Sequence, residues 1–274
     1  MNITQHKSHI EVSDFGQINL ELTLDCGQAF RWEPLPDGSF YGIADSRETR
    51  VKKEEDALLF FGTSEEDVRD FWVNYFDLTD DYDEILSRLC RDEKISLAHS
   101  MYGTIRLLNQ PPFETLCSFI ISACNNIPRI KSIIKTLCES FGEKCENGYS
   151  FPSACMMASL NEDDLSVIRA GYRVPYLLDA ARKVADGEID FDKIRSMNED
   201  EARKELMKIK GVGKKVADCT LLFSLGFKNC YPVDRHIARA DALMYPDGLP
   251  DFFSGNKGLA QQYIFHYQRT YTNF

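Results

Sequence analysis

The sequence is most informative first in what it lacks. Nowhere in its 274 residues is there an apolar run near the roughly 18 residues that a membrane helix needs. The polar start "MNITQHKSHIEVSDFGQ" has no signal-peptide core. Nine cysteines, at 26, 90, 117, 124, 138, 145, 155, 219 and 230, contain no CxxC pair, and no closely spaced quartet follows Asp234. That excludes a C-terminal iron–sulfur cluster and points to free thiols in a reducing compartment. The expectation is a cytoplasmic protein without membrane association, bound metal or cofactor. Positive charge is also scarce: 32 Lys and Arg stand against 43 Asp and Glu, a net charge of −11. Nonspecific nucleic-acid binding by the whole surface is therefore not expected. Internal repeats and low-complexity segments are missing as well.

What is present is a folded chain, 43% hydrophobic and 12% aromatic. Residues 8 to about 62 read as an antiparallel region of about five strands, "INLELTLDCGQAFRW" among them. Within it "PLPDGSFYG" carries hairpin-turn chemistry, and "TRVKKEEDALLFFG" reads as strand, turn, strand. From Thr63 the pattern turns helical. "TSEEDVRDFWVNYF" opens on a Ser or Thr cap, and "PPFETLCSFIISACNN" starts with Pro and is apolar nearly all round, as in a buried helix. Further helices are expected in "IPRIKSIIKTLCESFG", "NEDDLSVIRAGY", "PYLLDAARKVADG", "NEDEARKELMKI", "VDRHIARADALMY" and "KGLAQQYIFHYQRTY". Strands followed by many helices imply an α+β fold.

The scarce positive charge gathers at one place. Arg203, Lys204, Lys208, Lys210, Lys214 and Lys215 face one acid, Glu205, around "KIKGVGKKVADC". This reads as helix, tight turn, helix. Gly211 and Gly213 allow a close backbone approach, and the next helix begins near Lys214, baring N–H groups suited to a phosphate. Lys215, in the first turn, has two readings: a phosphate-facing cation, or a nucleophile, since a lysine amine can attack carbon. Asp234 in "YPVDRHIARAD" likewise reads either as a plain helix cap or as a carboxylate serving chemistry beside the lysine.

Helix, "KGVGKKVADC", helix and "PVD" together resemble the helix-hairpin-helix DNA glycosylase superfamily, and most closely its 8-oxoguanine branch. "DCGQAFRW" (25–32), "SFIISACNNIPRI" (118–130), "GYR" (171–173) and "LAQQYIF" (259–265) occur in that family's order. The resemblance implies an N-terminal domain over residues 1–108 and a helix-hairpin-helix glycosylase domain over 109–274. It implies a bifunctional glycosylase and lyase acting as a monomer on double-stranded DNA that contains 8-oxoguanine, in a nucleoid or a nucleus. By resemblance, Lys215 is the Schiff-base nucleophile and Asp234 its carboxylate. Gly27 supplies a backbone carbonyl that reads the lesion, Cys219 and Phe265 sandwich the flipped base, and Gln261 meets its Watson–Crick edge. Arg129 and Arg173 grip the opposite cytosine, with Asn126 in the same turn and Tyr172 as the wedge. Gly211, Gly213, Lys214 and His236 hold the DNA backbone.

One departure stands out. Cys124 occupies a position where the family usually has Asn, a residue that helps fill the gap left by the flipped base. Two competing readings remain at this level: a glycosylase for another lesion, and a noncatalytic module that uses the hairpin only as a phosphate clamp.

Overall fold

The computed structural model describes residues 1–271. The N-terminal part is a six-stranded antiparallel sheet in the order β1-β2-β6-β5-β4-β3. Its strands are β1 (Asn2–Gln5), β2 (Ile10–Ser13), β3 (Trp32–Pro34), β4 (Phe40–Ala44), β5 (Arg47–Glu54) and β6 (Ala57–Phe61). The β3–β4 hairpin turns at Gly38, where φ is +79°. The β4–β5 hairpin turns in two residues, Asp45 and Ser46, both at positive φ as a type I′ turn requires. The sheet buries Val12, Trp32, Val51, Leu58 and Phe60 against Trp72 and Phe76. Trp72 lies in a π-helical turn, Val68–Trp72, inside the segment capped by Ser64.

Two expectations for this half change. The structure has six strands instead of about five, because polar β1 pairs with β2 with no apolar alternation to announce it. "INLELTLDCGQAFRW" is not one strand. Leu20–Leu24 is a short helix, capped by Asn19 accepting from the Leu22 N–H at 3.0 Å, and only Trp32 enters β3. The cap and a buried Leu20, Thr23 and Leu24 decide the local structure over alternation.

The rest is helical. Pro112–Ser122 is buried along its length from Glu114 to Ile121, and Ile127–Phe141 packs beside it. Val174–Ala185, Glu199–Leu206, Lys214–Ser224, Arg235–Met244 and Lys257–Tyr271 follow. The expected helix in "NEDDLSVIRAGY" is instead two 3₁₀ turns, Asp164–Ile168 and Gly171–Arg173, separated by Arg169 in the left-handed conformation. Leu165 and Ile168 still bury their side chains from it.

Packing divides the chain into two cores. One belongs to the sheet and the segment 68–78, joined by Leu108; the other gathers Phe30 and the helices from Tyr82 onward. Arg106 joins them. It is fully buried, and its guanidinium donates to the carbonyls of Gln17 (3.0 Å), Asp77 (2.6 Å) and Phe15 (2.6 Å). No helix among the described residues is long and apolar enough to cross a membrane.

Candidate active site

The helix–turn–helix at 199–224 is held by an ion pair that sequence could not show. Arg203 donates from Nε to Asp218 at 2.5 Å, from Nη2 to Glu199 at 2.6 Å and from Nη1 to Asp200 at 2.6 Å. The Asp218 side chain is 1% exposed, and burial raises its pKa despite the arginine. Arg203 is therefore spent inside the hairpin, and Lys208 pairs with Glu205 at 2.7 Å. Among the described residues, Lys204, Lys210, Lys214 and Lys215 of the expected basic cluster then have no ion pair. Gly211 has φ +77°, and a Cβ there would overlap the Tyr176 ring. Gly213 caps the second helix at φ −92° and faces open space.

The second helix carries Lys215 into a cavity of about 450 Å³. The cavity collects residues from five separate stretches: Gly27, Asn126, Lys215 with Cys219, Asp234 with His236, and Gln261 with Phe265. Lys215 is half-buried; its Nζ lies 3.3 Å from Ser122 Oγ and 4.8 Å from the centre of the Phe119 ring. One turn on, Cys219 is buried, and that burial pushes its thiol up to about 11 even with Lys215 nearby. Asp234 is the cap of Arg235–Met244, with Oδ1 accepting from the N–H groups of His236 and Ile237, each at 2.8 Å. The cap fixes this carboxylate on the cavity wall.

Across the cavity, Gly27 sits at φ +94°, a conformation that favours glycine, and an added Cβ would only touch Ile127 at 3.8 Å. Glycine is needed there for its φ, not for space. The next residue pins the loop. Gln28 is 1% exposed, donates to the carbonyls of Thr23 (2.8 Å) and Arg106 (2.9 Å), and accepts from the Leu108 N–H (3.1 Å).

Arg129, Tyr172 and Arg173 lie outside this cavity, grouped around the turn at 123–126. Asn126 caps Ile127–Phe141 and accepts from the Arg129 N–H at 3.0 Å. Arg129 Nη2 donates to the Arg169 carbonyl at 3.0 Å. Arg173 donates to the carbonyls of Ala123, Cys124 and Ala170 and lies 4.4 Å from the Tyr172 ring centre. Tyr172 is 56% exposed. Cys124 is exposed and left-handed, at φ +50°.

Several cavity residues escaped sequence reasoning, notably Ser122, Phe119, Cys26 and Gln262. Ser122 and Phe119 were within "SFIISACNN", but nothing in that spacing says which side chains face inward. A larger cleft of about 1000 Å³ opens elsewhere, beside Asn19, Leu35 and His99, and holds none of the expected site residues. Metal-type donors meet at the β1–β2 turn, where His6, His9 and Glu11 lie within 4.8 Å of one another. The two imidazoles are stacked 4.6 Å apart at 17°, so their in-plane lone pairs run side by side and do not converge on one ion.

Residues 11–116 match the family model for the 8-oxoguanine DNA glycosylase N-terminal domain. The sequence is 30% identical over 252 residues to the N-glycosylase/DNA lyase of Saccharomyces cerevisiae, spanning 81% of this chain and 67% of that one. The chain belongs to the 8-oxoguanine DNA glycosylase family. A solved 8-oxoguanine glycosylase/lyase of Clostridium acetobutylicum, in complex with double-stranded DNA containing cytosine opposite 8-oxoguanine, superimposes with a TM-score of 0.93. It is 36% identical, over 100% of this chain and 99% of that one. The fold reaches further: a 3-methyladenine DNA glycosylase from Archaeoglobus fulgidus, at 20% identity, covers 96% of this chain with a TM-score of 0.75. The expected α+β architecture, a small antiparallel sheet followed by a helical glycosylase region, is the architecture observed.

Proposed function

We propose that this glycosylase removes 8-oxoguanine from duplex DNA and then nicks the strand 3′ to the site. The observation that carries the reading is one cavity that gathers Lys215, Asp234, Gly27, Cys219, Gln261 and Phe265 from distant parts of the chain. The target base must leave the stack to reach such a cavity. Cys219 and Phe265 then sandwich it, and Gln261 meets its Watson–Crick edge. The Gly27 carbonyl accepts the N7 hydrogen that 8-oxoguanine has and guanine lacks. Guanine would set a lone pair against that oxygen, a loss of about 1–3 kcal/mol.

The Lys215 amine attacks C1′ through its nitrogen lone pair as the C1′–N9 bond breaks, and the base departs with the bonding pair. Loss of an amine proton and opening of the sugar ring give the Schiff base. Removal of a C2′ proton then expels the 3′ phosphate by β-elimination. Asp234 stabilises positive charge developing on the sugar. Gly211, Gly213, Lys214 and His236 hold phosphates, the first three through the hairpin that bares the start of its second helix. Arg129 and Arg173 face the orphaned cytosine after exchanging carbonyl partners for the base's O2 and N3, with Tyr172 wedged into the stack and Asn126 beside it. The working unit is a monomer, divided as 1–108 and 109–274.

The test is incubation with duplexes carrying 8-oxoguanine opposite each of the four bases. The reading expects strand scission without alkali, and its dependence on the opposite base measures what Cys124 does in place of Asn. Release of another damaged base with 8-oxoguanine untouched would favour the glycosylase of different specificity, and binding without turnover would favour the noncatalytic clamp.

A further inference from the structure

One wall of the cavity contains a chain of hydrogen bonds that runs in a single direction. Gln261 Nε2 donates to the carbonyl oxygen of Pro232 at 3.2 Å. A carbonyl only accepts, so this bond fixes which end of the Gln261 amide is nitrogen. The 2.7 Å contact between the two glutamines then has one assignment: Gln262 Nε2 donates to Gln261 Oε1. That turns the Gln262 oxygen toward Cys26, whose thiol donates to it at 3.5 Å. The thiol keeps its proton, because burial pushes it up to about 11. Gln261, Gln262 and Cys26 are 6%, 5% and 2% exposed, so water competes little for these bonds.

The consequence concerns polarity. Turning the Gln261 amide over would set its NH₂ against the NH₂ of Gln262 and its oxygen against the Pro232 carbonyl. In the fixed orientation Gln261 still offers one N–H and one lone pair to a ligand. A guanine-type edge presents an acceptor, O6, next to a donor, N1–H. An adenine-type edge presents the reverse order, a donor N6–H next to an acceptor, N1. A freely turning amide would serve both, whereas a locked one serves only one of them for a given base orientation. We infer that Gln262, anchored by Cys26, is a positioning residue that sets the polarity of Gln261 and thereby selects a guanine-type over an adenine-type edge. This rests on the proposed meeting of Gln261 with the flipped base.

The experiment compares wild type, Gln262→Met and Gln262→Glu. Methionine keeps the volume without the donor, and an ionised glutamate keeps an acceptor for Cys26 with no proton to give Gln261. Excision of 8-oxoguanine and of 8-oxoadenine is measured beside borohydride trapping on a preformed abasic site, which has no base to read. Both substitutions should lower 8-oxoguanine excision on the order of tenfold, the scale of one lost hydrogen bond, and narrow the preference over 8-oxoadenine. Abasic trapping should be unmoved. Equal losses on all three substrates, or wild-type excision and preference, would overturn the inference. Gln261→Ala separates the two levels. If it leaves 8-oxoguanine excision intact, the reading of Gln261 itself fails. If it removes excision while Gln262→Met behaves as wild type, only the inference fails.

Discussion

The two hairpin glycines should separate folding from DNA binding. At Gly211 an alanine meets two obstacles: φ +77°, and a Cβ that overlaps the Tyr176 ring. The conformation costs about 1–2 kcal/mol for a non-glycine residue. Tyr176 is packed edge-on to Tyr172, with ring centres 6.2 Å apart, so moving it disturbs a second ring. Overpacking of this kind adds about 1–3 kcal/mol. Gly211→Ala should therefore lose about 2–5 kcal/mol, or roughly 5–15 °C in melting temperature for a chain of this size. At Gly213 the backbone is ordinary, φ −92°, and nothing lies within 4 Å of an added Cβ. Alanine there gains from a less flexible unfolded chain and loses slightly as a cap, for a net change within about 1 kcal/mol. Its methyl group nonetheless enters the space where a phosphate would meet the helix start. Gly213→Ala should melt like wild type and bind an abasic-analogue duplex several-fold more weakly, by fluorescence anisotropy at fixed salt. The reasoning fails if Gly213→Ala destabilises as much as Gly211→Ala, or if it binds like wild type.

Three further outcomes follow from the geometry. Arg203→Ala strands the buried Asp218 carboxylate and should cost about 3–5 kcal/mol by denaturant unfolding, while Arg203→Met with Asp218→Leu should recover much of it. At pH 8, mass-mapped alkylation should mark the exposed Cys124 and Cys155 quickly and leave the buried Cys26 and Cys219 intact. The latter two are raised to about 11, so folding holds them as thiols; their contribution to stability is complete below the ordinary value of 9.0 and drains away as pH climbs toward about 11. Cys124→Asn should raise stability by up to about 1 kcal/mol, because the residue sits at φ +50°, where asparagine is at home; a lower melting temperature would count against that account.

Local chemistry was legible in the sequence wherever it was decided locally. The Pro36-Asp37-Gly38 turn, the Ser64 cap, Pro112 at a helix start and the tight turn at Gly211 all lie where their residue types place them. Leu20–Leu24 was misread because a cap and three inward side chains outweigh a partial alternation. Arg203 reads from sequence only as one of six basic residues around the turn, because its partner, Asp218, lies on the next helix, a pairing that only the folded hairpin creates. The cavity follows the same logic. Lys215 and Asp234 were visible through the turn and the cap beside them, but Gln262 and Cys26 became meaningful only when residues 236 positions apart in sequence met.

The central claim is that the Lys215 amine forms the covalent bond to the sugar, and borohydride trapping tests it most directly. With an 8-oxoguanine:cytosine duplex, wild type should give a stable protein–DNA adduct on reduction, and peptide mapping should place the adduct on Lys215. Lys215→Gln should still bind the duplex and give no adduct. An adduct that persists in Lys215→Gln, or that maps to another residue in the wild type, would contradict the account.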